Sequence, residues 1–529
     1  MTLDLDALFE PYNRGDAPGL VAGVARDGEL LYRRAFGLAS IEHGLANTPW
    51  TRMRIGSTTK HFTCLAALLL AEEGRLDVDA GIRRYLPELP AQWNGGHEPT
   101  LRQLMQHTGG ARDSLDLGFI ASGMTVKPQG SSLASQARQR EANFAPGDKV
   151  VYNNGGYHML SHAIERAAGM PFAQVLDDYL FIPLGMRDTR LVASDFELVP
   201  GIAALHVPQA AGGWRRGVFP SEEVLGEGGI VSTVDDMLRW LAHLRQGGIG
   251  SAATWEQMLA PARLNNGMAT TYALGLMVED YRGLRVVHHG GTVVGGHCQM
   301  LAVPSHGLDV ILISNGAKAS LYDLANSVAE AVLGDDAFTR PAPVPALTER
   351  HPALPGAVYA SADGEMVVSF GDAGGKLGLV VHNSPPLPLR EEGGALHLDF
   401  NRVATGPYRA RVVGATLAFE DAGTAMTLAR LPAAPALEDA GRRLVGRYRA
   451  HDLGADAAIA FEGKELLLRI AGEYGPSVLR LTPFADDLFG WKFGGELAPL
   501  GGTLRVEDNG DLRLNTLRTR RLRLARIED

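Results

Sequence analysis

Cysteine is almost missing from this 529-residue sequence, which carries only Cys64 and Cys298. Two thiols so far apart provide neither a disulfide framework nor a zinc knuckle, so no structural disulfide and no metal is expected. No run of about 18 apolar residues occurs, so a membrane-spanning helix is not expected. The first residues, Met1-Thr2-Leu3-Asp4-Leu5-Asp6, lack the basic and apolar regions of a secretory signal, and the expected location is cytoplasmic. A basic excess is missing too: 50 Lys and Arg against 60 Asp and Glu give a formal charge of -10. That balance disfavours nucleic acid or an anionic membrane as partner and favours a neutral or cationic small molecule.

What is present is a globular composition, 45% hydrophobic and 21% charged, with 64 glycines and 29 prolines that imply many turns. At about 150 residues per domain, two to four domains are expected. Leu20 to Ala25 and Leu30 to Phe36, split by Arg26-Asp27-Gly28, predict a β-hairpin. Lys60 to Gly74 is rich in helix formers and ends in a glycine suited to a C-cap, which predicts a buried helix. Further helices are expected at Gly156 to Ala168, Val234 to Gln246 and Leu321 to Leu333, and strands at Tyr272 to Leu276, Leu284 to His289, Cys298 to Val303 and Leu308 to Ser314. This order fits an α/β sandwich with an antiparallel sheet over 1-338.

The run Arg-Pro-Ala-Pro-Val-Pro-Ala at 340 to 346 denies the backbone donors that helix or sheet requires, and 339-346 is assigned as a linker. Beyond it, short strand-like runs with turn signals such as Asp363-Gly364, Gly374-Gly375 and Asn509-Gly510 predict two all-β antiparallel barrels, 347-431 and 438-529, joined by a Pro-Ala-rich linker at 432-437. The barrels resemble copies of each other. Pro355-Gly356-Ala357-Val358-Tyr359 parallels Val445-Gly446-Arg447-Tyr448, and Leu417 to Asp421 parallels Leu504 to Asp508.

Ser57-Thr58-Thr59-Lys60 stands at the head of the first helix, where a spacing of three places both side chains on one face if the helix starts at the serine. A lysine against an apolar wall loses its charge more easily and can take the serine proton, while the helix N-terminus favours an oxyanion. Alone, the tetrapeptide would more often mean a helix cap. Two later clusters add what acyl transfer needs. In Tyr152-Asn153-Asn154 the phenol can relay a proton and the Asn154 amide can hold lysine and substrate. In His289-Gly290-Gly291 the glycines let substrate lie against a strand edge whose backbone donates to the oxyanion.

Ser-x-x-Lys, Tyr-x-Asn and His-x-Gly in this order resemble the serine β-lactamase and penicillin-binding protein superfamily. Supporting runs, Leu104 to Gly110, Pro183-Leu184-Gly185-Met186 and Ser232 to Met237, look like its class C branch; Ser232 or Thr233 is expected to cap the following helix. With two trailing β domains, the whole chain is similar to the bacterial D-aminopeptidases, which also place a cysteine where Cys64 stands. The resemblance implies a hydrolase that frees N-terminal D-amino acids from peptides, amides or esters without a cofactor, acting as a homodimer. It implies Ser57, Lys60, Tyr152, Asn154 and His289 as catalytic, Gly290 and Gly291 as substrate-binding, and a thiol at Cys64 near enough to the site to make the enzyme sensitive to bulky thiol reagents. It also implies that a loop of the last barrel enters the site with an acid for the substrate ammonium, which here is Glu496. The Lys-Thr-Gly of penicillin-recognising relatives is absent, which weakens carboxylate recognition. An esterase, β-lactamase or D,D-peptidase is the alternative within the superfamily, and a ligand-binding or sensor protein the alternative outside enzymes.

Overall fold

Alternation along the strands explains how the first part of the chain layers. The computed structural model describes residues 5–398, 408–493 and 500–527. Strands β1 (Leu20–Arg26), β2 (Glu29–Phe36), β3 (Met277–Tyr281), β4 (Leu284–Val293), β5 (Gly296–Val303) and β6 (Leu308–Ser314) form one antiparallel sheet in the order β3-β4-β5-β6-β1-β2. On central β6 all seven residues are buried: Ile311 and Ile313 enter one hydrophobic cluster, while Val310 and Leu312 enter another on the opposite face. A strand covered on both faces needs helices on both sides. On one face lie α1 (Lys60–Glu72), α3 (Asn154–Ala168) and α4 (Val234–Gln246), and on the other α5 (Leu321–Leu333). Every residue of α1 from Lys60 to Leu70 is buried, so this helix runs through the core and carries a lysine with it.

Local chemistry sets the helix ends. Thr233, rather than Ser232, caps α4 by accepting from Asp236 N at 3.3 Å, and Gly247 closes that helix with a left-handed backbone. The α3 helix starts at Asn154, two residues before the predicted start, because the Asn153 side chain accepts from Gly156 N at 2.8 Å. The predicted strand at Tyr272 to Leu276 is absent. Gly275 has φ 68° and a Cβ on it would stand 2.6 Å from His61 N, so the chain there turns close over α1 and extends only from Met277.

After the proline-rich run, two eight-stranded antiparallel barrels follow, one closed by Tyr359 opposite Arg430 and the other by Arg447 opposite Ile527. Tyr359 and Tyr448 both stand buried in the opening strands. The second sequence parallel does not survive: Leu417 to Asp421 lies in the seventh strand of its barrel, whereas Leu504 to Val506 lies in the sixth of the other. Ala346, at the end of the proline-rich run, already hydrogen-bonds the first barrel through Leu389 O and Leu377 N.

The last barrel is docked onto the sandwich. Leu117 and Ile120 of α2 (Ser114–Ser122) belong to the barrel's own hydrophobic core. Arg112, with a fully buried side chain, donates to Asp452 Oδ2 at 2.6 Å, Glu141 Oε2 at 3.1 Å and the carbonyls of Arg520 and Arg521 at 2.9 and 3.0 Å. Because removing it strands a buried carboxylate and two carbonyls, Arg112→Ala should cost about 3–5 kcal/mol. The shift in the denaturant midpoint of tryptophan fluorescence, multiplied by the m-value, measures that loss.

Candidate active site

Ser57 lies in a short 3₁₀ turn, Gly56–Thr59, that runs straight into α1, so the helix proper begins at Lys60 rather than at the serine. The serine makes no cap hydrogen bond and is partly exposed, while its neighbours Gly56, Thr58 and Lys60 are buried. Lys60 Nζ lies 3.2 Å from Ser57 Oγ, 2.9 Å from Asn154 Oδ1 and 2.5 Å from the Glu227 carbonyl. Aromatic faces complete the enclosure, with the rings of Tyr152 and Tyr157 at 4.8 and 5.2 Å. Burial is the largest influence on this amine and brings its pKa down from the usual lysine range to about 7.

The partners of Lys60 determine where its lone pair goes. Asp113 Oδ2 accepts from Asn154 Nδ2 at 3.1 Å, which turns Asn154 Oδ1 toward the lysine. Asp113 Oδ1 also accepts from the backbone N–H groups of Asn154 and Gly155. Asn154 Oδ1 and the Glu227 carbonyl can only accept, so a neutral Lys60 spends both of its N–H bonds on them. Its lone pair then faces the Ser57 hydroxyl. Tyr152 lines the same pocket as Ser57, and burial pushes its phenol above the ordinary range, so it stays protonated and able to donate.

His289 is placed differently. Its Nδ1 is 2.6 Å from Gly290 O and its Nε2 is 3.0 Å from Tyr272 Oη. Tyr272 Oη is in turn 3.1 Å from His107 Nε2, and His107 Nδ1 accepts from Asn153 N at 3.1 Å. An amide donor at one end and a carbonyl at the other dictate every proton between them: His107 donates to Tyr272, Tyr272 to His289, and His289 to Gly290 O. Burial holds His289 neutral, with a pKa of about 3. Both of its ring nitrogens are thus committed inside the fold, and the ring orients β4.

Strand β3 ends at Met277 opposite His288, so from His289 to Val293 that side of β4 carries no paired strand among the described residues. Over this edge and Ser57 opens a pocket of about 700 Å³. Gly291 serves close packing, since a Cβ there would meet the Ile55 carbonyl at 1.8 Å, against the turn that holds Ser57. Gly290 has only the end of the Gln299 side chain, at 3.0 Å, in its way. Cys64 does not reach the pocket: it is fully buried beside Tyr157 Oη at 3.3 Å, and burial pushes its thiol up to about 12.

Glu496 lies outside the described residues. A different loop of the last barrel reaches the site. Arg518 lines the pocket with its guanidinium 5.0 Å from the Tyr152 ring and 3.6 Å from Asp113, and its carbonyl accepts from Asn143 Nδ2 at 2.7 Å. Asp113, the Glu227 carbonyl and Arg518 escaped sequence analysis. The Arg-rich run Arg518-Thr-Arg-Arg521 was the one visible signal, and it resembles a solvated barrel loop. Glu223 and Glu227 also line the pocket, both engaged by His158, whose pKa is about 10: burial opposes the charge, but the two carboxylates outweigh it.

The unequal surroundings of the two glycines lead to unequal substitutions. Gly291→Ala should lose about 1–3 kcal/mol by forcing strand and turn apart, whereas Gly290→Ala should stay within about 1 kcal/mol. Thermal unfolding of the two variants side by side checks this contrast.

The chain is similar to known proteins in sequence and in fold. Residues 5–333 match the Beta-lactamase family. A D-aminopeptidase of Brucella melitensis is 27% identical over 484 residues, covering 87% of this chain and 84% of that protein. The octameric penicillin-binding protein homologue from Pyrococcus abyssi superposes with a TM-score of 0.56 at 18% identity over 98% of this chain and 99% of its own, so the fold with its trailing barrels is shared. The structure of SurE with D-Leu superposes with a TM-score of 0.52 at 26% identity, over 81% of this chain and 98% of its own. With a serine, a buried lysine and a tyrosine gathered on such a scaffold, the chain belongs to the Beta-lactamase family.

Proposed function

We propose that this protein is a D-stereospecific aminopeptidase, releasing N-terminal D-amino acids from peptides, amides or esters through an acyl-enzyme on Ser57. The observation that carries this is the buried Lys60 amine, held by two obligate acceptors so that its free electron pair meets the Ser57 hydroxyl. Ser57 Oγ attacks the substrate carbonyl while Lys60 takes its proton. The N–H of Ser57 and one from the unpaired edge of β4 receive the oxyanion, and the Tyr152 phenol gives a proton to the leaving amine. Lys60 restores the Tyr152 proton, then takes one from the water that attacks the ester and returns it to Ser57 Oγ as the acid leaves.

The D-preference is supported by the D-aminopeptidase relative and by the D-Leu complex of SurE. In this proposal Gly290, Gly291 and Glu496 contact the substrate, and His289 acts by holding β4. The hydrolase part spans 1-338, the linkers 339-346 and 432-437, and the barrels 347-431 and 438-529. The protein is proposed to act in the cytoplasm as a homodimer; among the described residues no helix is long and apolar enough to cross a membrane. Light scattering on the eluted protein distinguishes a dimer from an octamer like that of the Pyrococcus protein.

The decisive comparison is turnover of D- and L-alanine p-nitroanilide, a chromogenic cephalosporin and a short-chain ester by wild type and by Ser57→Ala. The expected result is preference for the D-anilide and a fall of at least about 10³-fold in Ser57→Ala. Wild-type turnover by that variant would overturn the mechanism, and preference for the L-anilide would overturn the substrate.

The pH profile is a separate check. The base must be neutral, so kcat/KM should climb as pH rises through about 7, where Lys60 loses its proton. On the D-anilide it should fall again as the substrate ammonium titrates at about 8. An ester without an amine should show the climb and no such fall.

A further inference from the structure

One helical turn along α3 from the active site, His158 and His162 present both rings to the same point. Their Nε2 atoms are 3.3 Å apart. Glu223 Oε2 is 3.3 Å from His158 Nε2, and Glu223 Oε1 is 3.9 Å from His162 Nε2. Ligands placed tetrahedrally around an ion at about 2.0–2.1 Å stand about 3.3 Å from one another. The two ring nitrogens keep that spacing, as does Glu223 Oε2 from His158, and a turn of the Glu223 carboxylate brings one oxygen to both imidazoles.

Their far sides are equally organised. His158 Nδ1 is 3.1 Å from Glu227 Oε1, and His162 Nδ1 is 2.9 Å from Glu165 Oε2. A carboxylate on Nδ1 fixes a ring so that Nε2 faces the ion, the arrangement found around histidines that ligate metals, and binding displaces the Nε2 proton that Glu223 favours on His158. The cluster is largely withdrawn from water, with side-chain exposures of 2%, 17% and 16% for His158, His162 and Glu223. Two imidazoles and one carboxylate are too few oxygens for calcium or magnesium, and without a thiolate they do not select copper(I); the set serves zinc with one open position or iron(II) with several, and the enclosure of this cluster favours four-coordinate zinc.

We propose that His158, His162 and Glu223 bind one zinc ion, with a water in the fourth position on the side of the pocket, which His158 and Glu223 line. The expectation of no metal came from the scarcity of cysteine and passed over His158-x-x-x-His162, whose spacing puts both rings on one helix face; the third ligand, from a distant loop, has no local signal. The ion would join α3, whose first residue is Asn154, to the 221–229 segment that contributes the Glu227 carbonyl. It would thereby tie together the two acceptors of Lys60 as a positioning element. The proposal is independent of which substrate Ser57 acts on.

The test uses the full chain, stripped with chelator and titrated calorimetrically with zinc chloride. One equivalent should bind, the thermal midpoint should rise with zinc, and cobalt(II) should give the visible absorption of a tetrahedral site. His162→Gln and Glu223→Gln should each weaken binding by at least about 100-fold, and Glu165→Gln, which keeps all three ligands, by about 10–100-fold. Circular dichroism of the stripped variants confirms that they fold; should one of the ligand variants not fold, Glu165→Gln alone still reads the site. Failure of the wild type to bind one equivalent, or equal binding by wild type and all variants that fold, overturns the proposal.

Discussion

The geometry of this protein is organised around an ammonium that has been taken out of water. Lys60 is carried into the core by a helix that is buried all round, and moving its charge there costs free energy that only well-placed acceptors can offset. Three acceptors meet it, and each comes from a different part of the chain: the serine of its own turn, the first residue of α3, and a carbonyl from the 221–229 loop. The incomplete compensation is chemically useful. It leaves the amine near the point where it gives up its proton at neutral pH.

That requirement propagates outward. Asn154 must show its oxygen to the lysine, so its amide nitrogen needs Asp113; Asp113 also caps α2, and α2 sends Leu117 and Ile120 into the last barrel. From that barrel Arg518 returns over the Tyr152 ring, while Arg112 is surrounded by barrel carbonyls and Asp452. Lysine cage, helix cap and barrel loop are therefore mechanically continuous. The barrel forms part of the pocket wall, and Tyr474 and Leu517 line the cavity beside Ser57.

The sequence made legible what depends on short range. Periodicity located five of the six sheet strands and the long helices, the proline run marked the start of the barrels, and three short motifs named the residues that meet at the pocket. What was hidden depends on distant partners. Asn154 looked like part of a loop because nothing nearby announces that Asn153 caps a helix. Tyr272 to Leu276 had a strand's composition, but Gly275 turns there to pass over α1. Cys64 was expected near the pocket, yet its helix is buried on every side. Asp113 could not be paired with Asn154 from spacing because 41 residues separate them, and the role of Arg518 exists only once the last barrel is docked.

The relay from Asn153 to Gly290 passes through three side chains that, in isolation, look suited to moving protons. Its two ends deny it that use. A peptide N–H cannot accept and a peptide carbonyl cannot donate, so the chain of hydrogen bonds has a single polarity and cannot be reset in the opposite sense. It conducts nothing; it behaves as a strut whose length is set by four hydrogen bonds. It holds the edge of β4 at a constant distance from the helix that starts at Asn154, whatever the protonation state of the site beside it.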